Sequence, residues 1–405
     1  MSDPLPHDLA AHPPLDAKVA STLTKSQRLR GLVALFASIL AAGITFGTTI
    51  PMIALILEKQ GYSSTVIGLN SAMPILATLL MAWLLPHLLR RVRTLTAMLG
   101  GIVVIVVCFL LMPVFPQIES WFLLRFLVGL GMSVHWVVSE TWLNAVSEEK
   151  QRGLMAGLYA TLLGLGFCLG PLMLTFIPLE GFTPFLIVAG FILSAALPLL
   201  AARGCVPEME LSHGASRWTM LVAAPTVFAA AFCSGLMDAA VLSFLPIYAL
   251  RSGLGQDLGV LLLSVTIAGT VALQVPLGLL SDKVNRRVLL LICGLVGLIG
   301  ALALPRLIGE GWTVWLLVFV WGGVFVGLYT VALAMMGHRF KGGQLAQANG
   351  LFVMLYCLGS LTGPPLAGSA MDLLGPEGFP QVLALAAGGF LLLGLLRSFS
   401  SNKAN

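Results

Sequence analysis

Four ionisable side chains lie inside long apolar stretches of this sequence, where a charge is expensive. Arg125, His135 and Glu140 share one stretch, and Asp238 lies in another. Placing such a group at the centre of a bilayer costs roughly 2.5–3.5 kcal/mol, so each one suggests a function. A carboxylate can bind and release a proton or hold a cation, and an arginine can hold an anion.

Helical spacing separates the members of the first stretch. At about 100° per residue, Arg125, Trp136 and Glu140 share one face, which we expect to line a cavity, whereas His135 lies on its flank. Arg125 and Glu140 are 15 residues apart, about 22 Å along a helix, so they cannot pair directly. His135 could titrate near neutral pH, but a lone histidine in such a run is more often a hydrogen-bonded packing residue.

Arg125 and Asp238 each leave two interpretations open. Arg125 could hold an anionic substrate or set the protonation of a nearby acid, or it could contact backbone carbonyls. Asp238, near the middle of its apolar run, could carry a proton or bind a cationic substrate. It could instead be a packing residue bonded to a neighbouring serine or backbone group.

The composition requires these residues to be held by membrane helices. Of 405 residues, 58% are hydrophobic and 10% charged, against about 25% charged in soluble proteins. Apolar runs of about 18 residues or more can cross the hydrocarbon layer as helices. We place twelve spans, at roughly 31–57, 66–86, 95–115, 121–144, 153–176, 182–202, 220–249, 257–280, 288–308, 312–337, 344–371 and 379–397.

The distribution of lysine and arginine predicts the orientation of these spans. Eighteen fall on the side of the N-terminus and three, Lys59, Arg251 and Arg306, on the other. Because basic loops stay in the cytoplasm, we expect a multi-pass protein of the inner (plasma) membrane with both termini cytoplasmic. This asymmetry accounts for the pI near 9.0, so no nucleic-acid partner is inferred.

An internal repeat divides the chain into two halves. Gly129, Gln151 and Gly157 match Gly322, Gln344 and Gly350 at an offset of 193. Such repeats let a midplane site open to either side of a membrane. The expected domains are a disordered cytoplasmic tail (1–25), a six-helix bundle (26–202), a cytoplasmic linker (203–219), a second bundle (220–397) and a short tail (398–405), in a monomer.

Enzyme, metal and cofactor chemistry find no support in the sequence. The six cysteines form no CxxC pair, so neither a metal site nor a redox motif is expected. HExxH, GxSxG and Walker-type sequences are missing as well. We therefore expect no enzyme activity, no catalytic residues, no cofactor and no metal.

Two loops point to a known family. The segment Gly278-Leu-Leu-Ser-Asp282-Lys-Val-Asn-Arg286-Arg287, within a six-plus-six repeat, resembles the signature of the major facilitator superfamily. In that signature an acid held by basic groups latches neighbouring helices. The first-half equivalent keeps Arg90 and Arg91 but has Pro86 in place of the usual aspartate.

Glu140 could supply this missing acid. It lies one turn from the cytoplasmic end of its span, so it could pair with Arg90 or Arg91; alternatively it could bind substrate or a proton, or be a solvated helix end. The expected cytoplasmic gate comprises Arg90, Arg91, Glu140, Asp282, Arg286 and Arg287.

Further motifs strengthen the resemblance. Arg125 to Gly131 is similar to the family's fourth-helix motif, and Gly166 to Pro171 is similar to its Gly-Pro motif, which is associated with antiporters. Gly359 to Pro364 repeats the second. Small residues allow close packing and proline bends a helix, so the helix-bend residues are Gly166, Gly170, Pro171, Gly359, Gly363 and Pro364. Across 31–397 the chain resembles the YcaD-like subgroup, and this resemblance implies transport without naming a cargo.

Together these features predict a secondary active transporter of a small organic molecule. It would be proton-coupled through Asp238 or Glu140, with export slightly favoured over uptake of a vitamin or metabolite; a transporter-like sensor stays open. The expected cavity residues are Arg125, His135, Trp136, Gln274, Trp321, Tyr329 and Tyr356, with Asn70, Trp142 and Asn349 as further possibilities. Aromatic walls with few charges suit a partly apolar molecule.

Overall fold

The computed structural model is an all-α bundle. It describes residues 24–147, 151–206, 219–340 and 343–402. Within these ranges, twelve helices are long and apolar enough to cross a membrane, as the hydropathy pattern predicts. In chain order they are α1 (Lys25–Lys59), α2 (Ser64–Leu89), α3 (Thr94–Leu111), α4 (Ile118–Val146), α5 (Arg152–Met173), α6 (Thr183–Ala201), α7 (Pro225–Arg251), α8 (Gln256–Lys283), α9 (Arg286–Leu307), α10 (Thr313–Arg339), α11 (Gly343–Leu374) and α12 (Gly378–Asn402).

Three details depart from the predicted spans. A short helix, Thr219–Ala223, precedes α7, and α12 continues as a helix to Asn402. α10 is made of two segments, Thr313–Phe325 and Gly327–Arg339, which meet at Val326. Most of the predicted N-terminal tail and linker (1–23 and 207–218) lies outside the described residues.

Polar caps and glycine turns set several helix boundaries. The Thr24 side chain caps α1 by accepting a hydrogen bond from the backbone N–H of Gln27, in a capping box. Ser63 caps α2 and Asn285 caps α9 in the same manner. Between α1 and α2 the chain reverses through Gly61, whose φ of +79° lies in the left-handed region that favours glycine.

Glycines bring α1 and α5 into backbone contact. An added Cβ at Gly166 would overlap the backbone of Gly43, and one at Gly170 would overlap that of Gly47. Thr48, which follows Gly47, adds a hydrogen bond from its Oγ1 to the carbonyl of Gly170 at 3.0 Å. The hydrophobic effect does not drive helices together within a bilayer. Small residues at such crossings stabilise the contact by allowing close packing.

The second half repeats this packing at the predicted offset. An added Cβ at Gly359 on α11 would overlap the Phe232 carbonyl on α7, and one at Gly363 would overlap that of Leu236. Leu236 and Gly359 are the positions of Gly43 and Gly166 advanced by 193. The two six-helix bundles are therefore pseudo-symmetric, as the internal repeat predicts.

The halves meet mainly where α2 packs on α11 and α5 packs on α8, with a smaller contact between α1 and α7. At the first, Gly68 packs on the backbone at Pro364 and Gly368 packs on that of Ser64. At the second, Gly164 faces Val271. Pro364, expected as a helix-bend residue, thus also lies at the boundary between the halves.

Glycine packing can be tested with two substitutions on α11. Gly359→Ala would force a methyl group into the Phe232 carbonyl, and such overpacking typically costs about 1–3 kcal/mol. Gly350→Ala has nothing within 4 Å of the new Cβ, and it should gain up to about 1 kcal/mol of helix propensity. We expect a lower unfolding temperature for Gly359→Ala alone, measured by fluorescence-detected size exclusion after heating. Equal unfolding temperatures would contradict the proposed close contact.

Candidate functional site

Aromatic side chains and one carboxylate from the first half form the first group of the site. Trp136 of α4 stacks on Phe46 of α1, with ring centroids 6.3 Å apart, and Phe46 lies against Phe167 of α5. One turn further along α4, the Trp136 indole N–H donates to Glu140 Oε1 at 2.9 Å. The tryptophan thus connects an apolar wall to an exposed carboxylate.

A matching group comes from the second half. The Tyr356 hydroxyl of α11 donates to Asp238 Oδ2 of α7 at 2.6 Å. The Tyr356 ring makes an edge contact with Tyr329 of α10, with centroids 5.2 Å apart, and Tyr329 makes another with Phe352. Trp136 and Tyr329 occupy equivalent positions of the repeat, so each half presents an aromatic residue from the same place.

The two groups approach each other across the boundary between the halves. The Glu140 carboxylate interacts electrostatically with the hydroxyls of Tyr159 on α5 and Tyr329 on α10. Within the second half, Tyr329 contacts Tyr356, which donates to Asp238. Among the described residues no hydrogen bond or ring contact joins Glu140 to Tyr329, and the two interact across the boundary through electrostatics alone. Sequence reasoning names these residues as separate candidates and does not predict that they lie on facing elements.

Arg125 and His135 are sealed inside the first half instead of lining an accessible cavity. Arg125 is 1% exposed and His135 0%. His135 Nε2 lies 3.2 Å from Ser38 Oγ of α1, which is the packing arrangement considered above. The expectation that these two line the cavity is not met in this conformation.

The surroundings of Arg125 follow from the register between α2 and α4. Gly129 packs against Pro74, and Ser133 Oγ donates to Thr78 Oγ1, both at a separation of 55 residues. The same separation places Asn70 opposite Arg125. The face that carries Arg125 therefore packs against α2, although the helical wheel assigns it to the same side as Glu140.

Two other expected cavity residues are engaged within the second half. Trp321 is 1% exposed and donates its indole N–H to the Gly297 carbonyl of α9 at 3.1 Å, so it is a packing residue. Gln274 of α8 donates to Thr330 Oγ1 at 2.6 Å and is partly buried. Gln274 therefore contacts the residue that follows Tyr329 in the chain. Trp321 points instead toward α9.

The end of the bundle that carries both chain termini (the terminal end) holds part of the expected gate. Arg286 donates to Asp282 Oδ1 at 2.8 Å and to the Ser281 carbonyl at 2.9 Å. Arg286 and Arg287 both line a cavity of about 720 Å³ among the ends of α7, α9, α10 and α12. Because Asp282 is largely exposed, its ion pair contributes at most about 1 kcal/mol.

The expected ion pair of Glu140 with Arg90 or Arg91 is not formed in this structure. The described hydrogen-bond partner of the Glu140 carboxylate is Trp136. Glu140 is exposed and bonds within its own helix in this conformation, and it is not part of a closed gate.

The opposite end of the bundle (the distal end) is closed by polar contacts between the halves. Arg251 at the end of α7 binds Glu58 at the end of α1 through two hydrogen bonds, each of 2.7 Å. This fork geometry is the strong form of an arginine–carboxylate pair. Glu58 and Arg251 are separated by 193 residues, so the pair joins equivalent positions of the repeat.

A second distal contact uses the start of a helix. Asp372 of α11 accepts hydrogen bonds from the backbone N–H groups of Ser64 and Thr65, at 2.8 and 2.7 Å, and from Thr65 Oγ1 at 2.6 Å. The first N–H groups of a helix have no intrahelical partner and favour an anion. Sequence reasoning missed this contact, because a backbone donor leaves no signal in the residue pattern.

Comparison with protein families decides the assignment. The family model described as Major Facilitator Superfamily matches residues 35–269 and 227–404. The chain belongs to the major facilitator superfamily. It is 28% identical over 345 residues to the uncharacterized MFS-type transporter YfkF of Bacillus subtilis, covering 82% of this chain and 86% of the relative. It is 27% identical to YcaD of Salmonella newport, over 62% of this chain and 66% of the relative, just under two thirds.

Solved structures show the same fold. A bacterial homologue of the human lysosomal transporter Spinster, in an inward-facing unoccupied conformation, matches with a TM-score of 0.66 and 14% identity, covering 92% of this chain and 95% of that one. The nucleoside transporter NupG matches with a TM-score of 0.71 and 13% identity, covering 91% and 98%. Family and fold identify the chain as a multi-pass membrane transporter of a small substrate rather than an enzyme.

The distal closure generates a testable prediction about conformation. Asp372→Asn removes the charge that faces the start of α2, and a hydrogen bond to a charged group contributes about 1.5–3 kcal/mol. We expect the equilibrium to shift about tenfold or more toward separation of the distal ends. Spin labels at Tyr62 and Leu254, in a background without reactive cysteines, would report the distance by double electron–electron resonance.

The matched control for this measurement is Asp257→Asn. Asp257 is an exposed acid in the first turn of α8 at the same end. An unchanged distance distribution in Asp372→Asn, or an equal change in both variants, would refute a latching role for Asp372.

Proposed function

We propose that this chain is a proton-coupled secondary transporter that moves a small organic molecule by rocking its halves about the boundary between them. The observation that carries the proposal is the pair of accessible carboxylates, Glu140 in one half and Asp238 in the other, each hydrogen-bonded to an aromatic residue of its own half. A site shared by both halves is exposed to alternate sides when they rock.

Asp238 is the proposed proton carrier. It lies near the middle of α7, it is partly accessible, and its described hydrogen-bond partner is the neutral hydroxyl of Tyr356. No described cation neutralises it, so a proton can serve as its counter-charge. Glu140, nearer the terminal end, is the second candidate for coupling.

The proposed orientation places the terminal end in the cytoplasm of the inner membrane. The excess of lysine and arginine at this end supports that assignment. The distal end, closed by Asp372 and by Glu58 with Arg251, then faces outward, and the cavity in this conformation is reached from the cytoplasm. Export is favoured by the Gly-Pro motifs of α5 and α11.

Inverted membrane vesicles would test both coupling and direction. Respiration acidifies their interior, and a quenched acridine dye reports the gradient. In these vesicles a proton-coupled exporter moves substrate from the medium into the lumen and releases lumenal protons into the medium. The dye fluorescence should therefore recover when a transported compound is added. The test panel consists of aromatic amines, vitamins and neutral aromatics. Recovery only when the compound is preloaded would indicate uptake, and no recovery in either arrangement would reject proton coupling.

Asp238→Asn gives the sharpest prediction about coupling. An amide cannot carry the proton through the cycle, so dye recovery with the active compound should fall at least tenfold. Counterflow of the same labelled compound without a gradient should persist, because exchange does not require protonation. Glu119→Gln, at the exposed start of α4, is the control with unchanged recovery. Wild-type recovery in Asp238→Asn would exclude Asp238 as the carrier.

A further inference from the structure

The accessible charge inside the membrane-spanning region is entirely negative among the described residues. Four ionisable groups interrupt the apolar spans: Arg125, His135 and Glu140 on α4, with Glu140 nearest the terminal end, and Asp238 near the middle of α7. The two basic groups are sealed at 1% and 0% exposure. The two acidic groups are accessible, one exposed and one half-buried. A molecule that reaches these accessible groups therefore meets carboxylates and neither of the two buried basic groups.

The walls around these carboxylates are aromatic. Trp136 and Phe167 in the first half and Tyr329 and Tyr356 in the second are partly exposed, and the buried rings of Phe46 and Phe352 pack against Trp136 and Tyr329. Aromatic faces attract cations through their quadrupoles, most strongly where water is displaced. The same faces provide apolar area for a hydrophobic body.

Each carboxylate is also oriented by its aromatic neighbour. Trp136 donates to one oxygen of Glu140, and Tyr356 donates to one oxygen of Asp238. In the part of the chain that the structure describes, the second oxygen of each acid has no protein donor. Each half thus supplies one accessible carboxylate with an oxygen that is free to accept a hydrogen bond from a ligand.

Building on the proposed transport function, we propose that the substrate is an organic cation with an aromatic or apolar body, bound between Glu140 and Asp238. Its charge interacts with a carboxylate of each half, and its body lies between the Trp136 and Tyr329 walls. An organic anion would instead have to enter a space that already holds two uncompensated acids.

The basic groups of the terminal end do not oppose this assignment. Arg286, Arg287, His338, Arg339 and Arg397 line a separate cavity at the ends of the second-half helices. Exposed charges of this kind are screened by salt over about 8–10 Å. These basic groups therefore interact with a ligand only while it approaches, whereas the carboxylates interact with it at the proposed binding site.

A pair of probes that differ in charge and share one shape tests the proposal directly. Tetraphenylphosphonium and tetraphenylborate have nearly the same size and apolar surface, with opposite charges. The full chain in lipid nanodiscs would be titrated with each by isothermal calorimetry, with empty nanodiscs as the blank. We expect saturable binding of tetraphenylphosphonium and none of tetraphenylborate. Benzyltrimethylammonium is titrated as well, because this smaller cation fits a site that is too narrow for four phenyl rings.

Variants then assign the binding to the two carboxylates. Glu140→Gln and Asp238→Asn should each weaken binding of the cationic probe roughly tenfold, as expected for loss of one charge contact of about 1.4 kcal/mol. Glu119→Gln and Asp257→Asn, exposed acids at the distal helix ends, should bind as the wild type does. Size-exclusion profiles would confirm that each variant is folded, and the comparison of the two probes needs no variant.

Several outcomes would overturn the cation assignment. These are binding of tetraphenylborate as tight as that of tetraphenylphosphonium, wild-type affinity in the Glu140→Gln/Asp238→Asn double variant, or no saturable binding of either cation. The titration uses no gradient, so it is independent of coupling. Cation binding without dye recovery in vesicles would reject proton coupling alone, and dye recovery with a neutral compound but no cation binding would reject the substrate class alone.

Discussion

A charge within the hydrocarbon layer must be shielded by protein, paired with an opposite charge, or exposed to a water-filled space. The interior of this transporter contains very few such groups, and they divide by sign. Arg125 and His135 are enclosed by α1, α2 and α4, whereas Glu140 and Asp238 remain accessible at the boundary between the halves. The accessible part of this nearly neutral set of interior charges is therefore acidic. The proposed class of ligand depends on this separation.

The separation relies on helices that touch through their backbones. Gly166 on Gly43 and Gly359 on Leu236 hold α1 to α5 and α7 to α11 at closer approach than larger side chains would permit. Each half can therefore move as a unit, and its motion is limited at the distal end by two polar contacts. One of them, Glu58 with Arg251, joins equivalent positions of the repeat. Residues near a pseudo-two-fold axis meet their own counterparts, so opposite charges at these positions form a bond across the halves.

The sequence predicted the spans, the repeat and the family, because hydropathy, an offset of 193 and short motifs are all properties of consecutive residues. Glu140, Asp238, Trp136, Tyr329 and Tyr356 stay predictions as site residues. The sequence misplaced Arg125, because a helical wheel gives the angle of a side chain but not the helix that it meets. Gly129 lets α2 approach so closely that the face of Arg125 is covered. The contact of Asp372 with the start of α2 could not be predicted, since two of its three donors are backbone groups and all lie about 300 residues away. The ion pair of Glu58 and Arg251 left a usable signal, namely opposite charges at the repeat offset.

The pseudo-symmetry of the halves is imperfect at Val326, directly before the tyrosine wall. The helix tightens there, and the Tyr329 N–H donates to the Val326 carbonyl at 3.0 Å. The equivalent position in α4 is Ser133, whose hydroxyl donates to the Gly129 carbonyl and to Thr78 within a regular helix. Trp136 and Tyr329 thus occupy equivalent positions on helices whose local turns differ. Two unlike walls give a molecule that binds between them one preferred orientation, which two identical walls could not do.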